Sequence, residues 1–244
     1  MIQIRDDLRL AQRQNKMSRK RSETIFSPNP VRREGPEINQ EEMLALYMVI
    51  NTLFPDMQNR ILQFIGSDEG VGTSTIVREF ARFAAERLGH KVLLVDADQH
   101  RAAQSQFYSV NSKFSWIKVL QESGELEHAI HRVCEADLFV SPAYDCNIPT
   151  AALSSLPHWE RFWASLKVEF DLVLIDSAPL TVSQDALAFA SKVDGVVLVV
   201  EAERTKQRTA RHIRKQIEMV GGKVLGAVFN KSRDYIPPSI SRHV

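Results

Sequence analysis

One stretch constrains the fold of this chain more than any other: residues 61–75, ILQFIGSDEGVGTST. A short apolar run leads into a turn that holds Gly66, Gly70 and Gly72, and a hydroxyl-rich segment follows. Glycines let backbone N–H groups turn inward around an anion, and the N-terminus of a helix adds partial positive charge. The stretch therefore predicts a buried strand, a phosphate-binding turn and a helix, in that order.

This turn departs from the phosphate-loop pattern G-x-x-x-x-G-K-[ST] at the residue that carries its charge. Gly72 and Ser74 occupy the last glycine and the hydroxyl position, but Thr73 stands where the pattern requires lysine. The turn thus has the form of a phosphate cradle without its cation.

The rest of the chain alternates apolar strands with amphipathic helices. Residues 76–89 repeat apolar side chains at helical spacing and end at Gly89, and the strand KVLLVDAD follows, which completes a βαβ unit. Further apolar strands are predicted in DLFVSPA, DLVLID, GVVLVVEAE and KVLGAVFNK. This order predicts an α/β fold with a doubly wound, mostly parallel sheet flanked by helices, as in P-loop NTPases.

Three helices outside the βαβ unit carry specific expectations. The helix near residues 41–54 either packs on the domain or is shared with another subunit. Residues 150–167 are predicted to be helical, with Trp159 and Trp163 in the core. Residues 205–220 are predicted to form a basic amphipathic helix that ends at a glycine pair.

Carboxylates close two of the predicted strands. Asp96 and Asp98 follow one strand, and Asp176 ends another. Because ligands of open α/β sheets bind at the carboxyl ends of the strands, these side chains are expected to converge on the glycine turn. An aspartate there can hold the Mg²⁺ of a nucleotide, and Ser74 can supply a hydroxyl ligand. A helix cap or a turn is the alternative role for each aspartate.

Composition divides the chain into three parts. Residues 1–39 are basic and rich in proline and polar residues, so we predict a disordered arm, followed by a domain over residues 40–232 and an irregular tail over residues 233–244. The arm serves either solubility or contact with an anionic membrane surface. Since the net charge is only +1, no nucleic acid is expected as a partner. Cys134 and Cys146 lack metal-ligand spacing and fit a reducing cytoplasm.

Five motifs in order resemble the bacterial tyrosine kinases (BY-kinases), relatives of the ParA and MinD ATPases. They are SDEGVGTST, VLLVDADQHR, FDLVLIDSAP, DALAFASKVDGVVLVVEAERT and VLGAVFNK, and the resemblance covers about residues 41–230. It implies a cytoplasmic protein that is associated with the inner membrane through a partner. That partner would be the cytoplasmic part of a polysaccharide co-polymerase, the chain-length determinant of capsule or exopolysaccharide synthesis. It also implies a possible homo-oligomer.

The resemblance assigns the site residue by residue. ATP would be contacted by residues of the turn and by one at the end of the last strand: Gly70, Val71, Gly72, Thr73, Ser74, Thr75 and Asn230. Mg²⁺ would be held by Ser74, Asp98 and Asp176, and the catalytic carboxylates would be Asp96, Asp98 and Asp176. Leu44 stands among apolar residues that replace the arginines of the family's subunit-contact helix.

The departures from the family pattern lead to three hypotheses. Lysine is absent at Thr73, and the second lysine of ParA-type loops is replaced by Asp68, beside Glu69. The tail also lacks the family's tyrosine cluster. The first hypothesis is a degenerate BY-kinase homologue that regulates polysaccharide assembly, with ATP and Mg²⁺ bound weakly or not at all. The second is an active tyrosine kinase or ATPase in which Mg²⁺, Arg78 or Arg101 offsets the lost cation. The third is a positioning ATPase like ParA or MinD.

Overall fold

The computed structural model describes residues 40–54, 59–110, 114–122, 125–143 and 150–232. Within them a seven-stranded sheet has the order β3-β4-β2-β5-β1-β6-β7. Its strands are β1 (Arg60–Gly66), β2 (Val92–Asp96), β3 (His131–Arg132), β4 (Leu138–Ser141), β5 (Leu172–Ser177), β6 (Gly195–Glu201) and β7 (Val224–Asn230). Every pairing is parallel except that of β3 with β4. The predicted doubly wound, mostly parallel sheet is therefore confirmed.

Helices cover both faces of this sheet. The α-helices are α1 (Gln40–Leu53), α2 (Thr73–Leu88), α3 (Ala103–Phe107), α4 (Trp116–Glu122), α5 (Thr150–Leu153), α6 (Trp159–Glu169), α7 (Asp185–Ala190) and α8 (Gln207–Met219). One turn of 3₁₀-helix, Leu126–Ala129, follows α4. The predicted arm and tail lie outside the described residues, as do Pro55, Asp56 and Cys146.

The central strands are buried on both faces because alternate side chains point to opposite helical layers. Leu62 and Phe64 of β1 join α1 and α2 in one core cluster. Ile61, the neighbour of Leu62, instead joins α4 and α6 in a second cluster on the other face. The sheet is thus enclosed between two apolar layers, which leaves the ends of its strands as the place where polar groups gather.

The predicted continuous helix over residues 150–167 is wrong. The structure has α5, then a turn, and then α6 from Trp159 to Glu169. Pro157 lies in that turn; it has no N–H to donate and disfavours helical backbone at Leu156. The predicted core role of the two tryptophans is confirmed, since Trp159 and Trp163 are buried and meet edge-to-face at 5.4 Å.

Helix α1 packs by one face only. Met43 and Ile50 are buried in the same cluster as α2, which confirms packing on the domain. Its outer face leaves Leu44, Met48 and Val49 exposed. The predicted contact with another subunit remains untested. No helix among the described residues is long and apolar enough to cross a membrane.

Candidate functional site

The glycine turn connects β1 to α2 and is held open by left-handed backbone at two glycines. Gly70 has φ +71° and Gly72, the residue before α2, has φ +94°. Such backbone is strained for residues that carry a Cβ. Among the described residues, no backbone N–H from Gly70 through Thr75 has a hydrogen-bond acceptor. The turn therefore presents a row of free donors to an anion, as the sequence predicted for a phosphate cradle.

Two residues at the end of β7 hold the turn by its carbonyl groups. Asn230 donates from Nδ2 to the carbonyl of Val71 at 2.8 Å. Lys231 donates from Nζ to the carbonyl of Gly70 at 2.8 Å and lies 3.2 Å from Glu201 Oε2. These contacts keep the carbonyls turned outward, so the N–H groups remain available on the other side.

The turn itself carries negative rather than positive side chains. Thr73 begins α2, and its Oγ1 lies so close to Gly66 that a Cβ built there would approach it to 2.6 Å. Asp68 Oδ1 accepts hydrogen bonds from the Glu69 N–H at 2.9 Å and from Thr181 Oγ1 at 3.2 Å. The hydroxyl of Thr73 thus lies against the start of the turn, and two carboxylates are added beside it.

Neither arginine considered as a replacement cation is free. Arg78 is buried, and its guanidinium lies 3.8 Å from the centroid of the Phe107 ring. Arg101 is paired with Glu69 at 3.0 Å. Burial lowers the pKa of Arg78, which nearby acidic groups partly offset. Either arginine would have to give up these contacts to reach a phosphate on the turn.

The Asp96 carboxylate is fully buried at the end of β2 and organises the segment that follows. Its Oδ2 accepts from the Gln104 N–H at 3.1 Å, the Ser105 N–H at 3.0 Å and Ser105 Oγ at 2.9 Å. Trp116 donates from its indole to the Asp96 carbonyl at 2.9 Å. Burial raises the pKa of Asp96 to about 6, an effect that the bonds from Ser105 reduce.

Asp176 lies beside Asp96, since the two residues are register partners in the parallel pair β2–β5. Its Oδ2 accepts from Gln104 Nε2 at 2.7 Å, and the Ser74 side chain lies near enough to lower its pKa. The same Gln104 amide donates to the Ser74 carbonyl at 2.8 Å. Burial, followed by the charge of Asp96, raises the pKa of Asp176 to about 7.

Each of these two carboxylates has one buried oxygen that accepts no hydrogen bond from the described residues. Oδ1 of Asp96 and Oδ1 of Asp176 have no hydrogen-bond partner among the described residues. A buried carboxylate oxygen without a partner is costly, and a bound cation or a proton relieves that cost. Asp98 uses Oδ1 to accept from the N–H groups of His100 and Arg101 at 3.0 and 3.2 Å.

The two halves of the site fit a Mg–nucleotide unequally. Ser74, Asp98 and Asp176 would offer Mg²⁺ the oxygen ligands that it prefers, and the unpartnered Asp176 oxygen is consistent with such a role. No three His, Cys, Asp or Glu side chains in the described ranges form a ready metal cluster. On the phosphate side the N–H row fits an anion, but the charged side chains of the turn do not fit a triphosphate.

A cleft of about 390 Å³ opens beside the turn. Its walls come from the turn, from the segment after β5 and from the segment between β6 and α8. Its polar lining includes Ser67, Asp68, Glu69, Thr181, Glu201 and Thr205. Hydroxyl and carboxylate oxygens thus dominate the space beside the phosphate cradle, although Arg204 and Lys206 also contribute.

The structure brings the predicted site residues together at one edge of the sheet. Ser74 and Asp176 are in contact, Asp96 is adjacent to Asp176, and Asn230 touches the turn. Asp98 accepts hydrogen bonds from the backbone of the loop after β2. Sequence reasoning missed Gln104, which links the turn to Asp176, because a single glutamine after a weakly patterned segment gives no signal. It also missed Lys231, although this lysine stands next to Asn230 in the last motif.

The fold and the site define a class: a protein with the fold of P-loop NTPases and with altered charge in its glycine turn. A family profile described as "AAA domain" matches residues 59–225. The chain therefore belongs to the AAA-domain family. Its resemblance to the bacterial tyrosine kinases within the wider group of ParA and MinD proteins is confirmed by the relatives.

One such relative is the tyrosine-protein kinase CpsD of Streptococcus agalactiae, which is 29% identical over 187 residues, or 76% of this chain and 81% of the relative. Among solved structures, the chimerical protein CapA2B2 superposes with a TM-score of 0.72 at 23% identity, covering 88% of this chain and 92% of that one. The septum site-determining protein MinD from Pyrococcus horikoshii, complexed with Mg-ADP, gives a TM-score of 0.58 at 23% identity, covering 75% and 76%. At 23% identity, these two superpositions establish a shared fold and nothing further.

Proposed function

We propose that this chain is a BY-kinase-like protein whose nucleotide site has lost most of its catalytic power. It acts as a regulatory or binding subunit in the synthesis and export of a capsular polysaccharide or exopolysaccharide. Its partner is the cytoplasmic part of an inner-membrane co-polymerase, through which it is held at the membrane. The kinase relatives support the pathway, and the charge of the turn supports the loss of activity.

The observation that carries the proposal is the replacement of lysine by Thr73 in a turn that is otherwise intact. The N–H donors of the cradle remain, whereas Asp68 and Glu69 add negative charge beside the phosphate path. One unit charge a few ångströms from a phosphate is worth several kcal/mol in a partly desolvated site. Exchanging attraction for repulsion is therefore expected to weaken ATP binding by orders of magnitude.

A second candidate, an active kinase or ATPase, is favoured by one observation. The metal side keeps its oxygen donors, with the Ser74 side chain near Asp176 and one Asp176 oxygen unpartnered. Lys231, with its amine 2.8 Å from the Gly70 carbonyl, is a cation already next to the turn. However, it contacts the carbonyl side rather than the N–H side, so its charge reaches a phosphate only after it leaves both partners.

Calorimetric titration with ATP and Mg²⁺ separates the two candidates. The proposal expects no binding by the unaltered chain at about 1 mM ATP. Thr73→Lys is expected to gain affinity by about 100-fold or more, because it restores the cation to a preserved cradle. Thr73→Ala is the matched control: it removes the hydroxyl without adding charge and is expected to gain nothing.

Two results would contradict the degenerate site. One is micromolar binding by the unaltered chain that Ser74→Ala or Asp176→Ala abolishes, which would establish the active candidate instead. The other is equal affinity in Thr73→Lys and Thr73→Ala, which would show that the missing cation is not what limits binding.

The partner is tested separately from the nucleotide. The cytoplasmic segments of a co-polymerase encoded beside this chain are expected to co-purify with it. Association should persist in Asp176→Ala, because a binding subunit does not need the metal side. Loss of association in that variant, with folding retained, would contradict a purely binding role.

A further inference from the structure

The outer face of α8 carries a row of positive charge. Arg208, Arg211 and Lys215 are spaced i, i+3 and i+7, so they share one face of the helix, and all three are exposed. The opposite face is anchored by Ile213 and Ile217, which are buried against the sheet. We call the three exposed side chains the cationic stripe.

The charge of the stripe is not neutralised within the described residues. Nearby cations do have carboxylate partners: Arg214 pairs with Glu218 at 2.7 Å, and Arg204 pairs with Glu201 at 3.4 Å. Arg208, Arg211 and Lys215 form no ion pair with any described carboxylate. Lys206, just before the helix, is exposed as well. Since the whole chain has a net charge of only +1, this positive charge is a local feature.

Apolar side chains extend the stripe at its C-terminal end. Met219 follows Lys215 at i+4 and is 75% exposed, and Val220 is 40% exposed. Cations in line with an exposed flexible apolar side chain suit a surface that is anionic outside and apolar beneath. None of the three residues of the stripe lines the cleft beside the glycine turn.

We propose that the cationic stripe of α8 binds the headgroups of an anionic phospholipid surface directly, with Met219 reaching the boundary of the acyl chains. A duplex nucleic acid is the less suitable occupant, because the exposed apolar end of the stripe gains nothing from a phosphate backbone. The inference goes beyond the proposed function, in which a partner protein holds the chain at the membrane. It does not depend on the state of the nucleotide site.

The experiment measures partitioning of the full chain onto lipid vesicles by sedimentation. Vesicles of phosphatidylcholine with about one third phosphatidylglycerol are compared with pure phosphatidylcholine at low salt. Each basic residue near an anionic surface is worth about 5-fold in partitioning. The double variant Arg211→Gln/Lys215→Gln is therefore expected to bind the anionic vesicles about 25-fold more weakly.

The matched control removes the same two charges elsewhere. Arg87 and Arg161 are exposed on α2 and α6, so Arg87→Gln/Arg161→Gln has the same net charge as the stripe variant. It is expected to lose less than about 3-fold, because its charges do not face the bilayer. Both variants replace exposed helical residues with a good helix former, and thermal unfolding verifies that they fold.

Four outcomes would overturn the proposal. They are the absence of binding to anionic vesicles, equal binding to neutral vesicles, equal losses in the two variants, and displacement of the chain from vesicles by a short DNA duplex that binds the stripe more tightly. A loss of binding to anionic vesicles that is confined to the stripe variant, and that added ATP does not change, would support the proposal. Micromolar ATP binding in the calorimetric test, which would contradict the degenerate site, leaves the vesicle result unaffected, so the two proposals fail independently.

Discussion

The two halves of the candidate site differ in what holds them. The carboxylate half, Asp96 and Asp176, is buried and tied to α3 through Gln104 and Ser105. The loop half around Asp68 and Glu69 is exposed, and its side chains make only local contacts and one exposed ion pair. A charge change in the exposed half costs the fold little, whereas one in the buried half disrupts several elements. This contrast explains how a chain can keep the architecture of a nucleotide site while its loop loses the cation.

The largest effect is expected in the buried half. Asp96→Ala leaves the N–H groups of Gln104 and Ser105 buried without an acceptor, so the free energy of unfolding should fall by about 4 kcal/mol. Asp96→Asn keeps an acceptor oxygen and should lose less than about 1 kcal/mol. Urea unfolding measures both. Equal losses in the two variants would show that the charge, rather than the acceptor, holds this half together.

The pH dependence of the free energy of unfolding is a second test of the buried carboxylate half. Burial raises the pKa values of Asp96 and Asp176 to about 6 and about 7, above the unfolded value. The folded chain therefore binds more protons than the unfolded chain between about pH 4 and pH 7. The stability that this pair contributes is complete below that window and is lost as the pH rises through it.

Unfolding titrations at several pH values test this slope. The double variant Asp96→Asn/Asp176→Asn should flatten it, and so should millimolar Mg²⁺ if the metal side binds the ion. An unchanged slope in the double variant would assign the pH dependence to other groups.

The smallest effect concerns the turn, where two glycines form a matched pair. Gly72→Ala puts a Cβ 2.2 Å from Asn230 Nδ2 on backbone with φ +94°, so about 2 kcal/mol should be lost. Gly70→Ala, with φ +71° and nothing within 4 Å of its Cβ, should lose about 1 kcal/mol from backbone strain alone. Thermal unfolding distinguishes them. Equal losses would mean that Asn230 does not confine the turn.

Much of the fold could be predicted because strands buried on both faces are continuously apolar and are separated by helical periodicity. The convergence of Ser74, Asp96 and Asp176 followed from the rule that parallel strands end at one edge. The break at Pro157 was missed because the apolar spacing continues through it on both sides. Gln104 was missed because its importance comes from three partners that are distant in sequence, at Ser74, Arg78 and Asp176.

The sequence by itself determined the sheet, the glycine turn and the absence of lysine at Thr73, since each depends on local residue type and spacing. Only the tertiary structure decided where the remaining charges act. It buried Arg78 against Phe107, paired Arg101 with Glu69 and set Lys231 on the carbonyl side of the turn. The physical reason is that electrostatic interaction depends on distance, burial and orientation, which spacing along a chain does not specify.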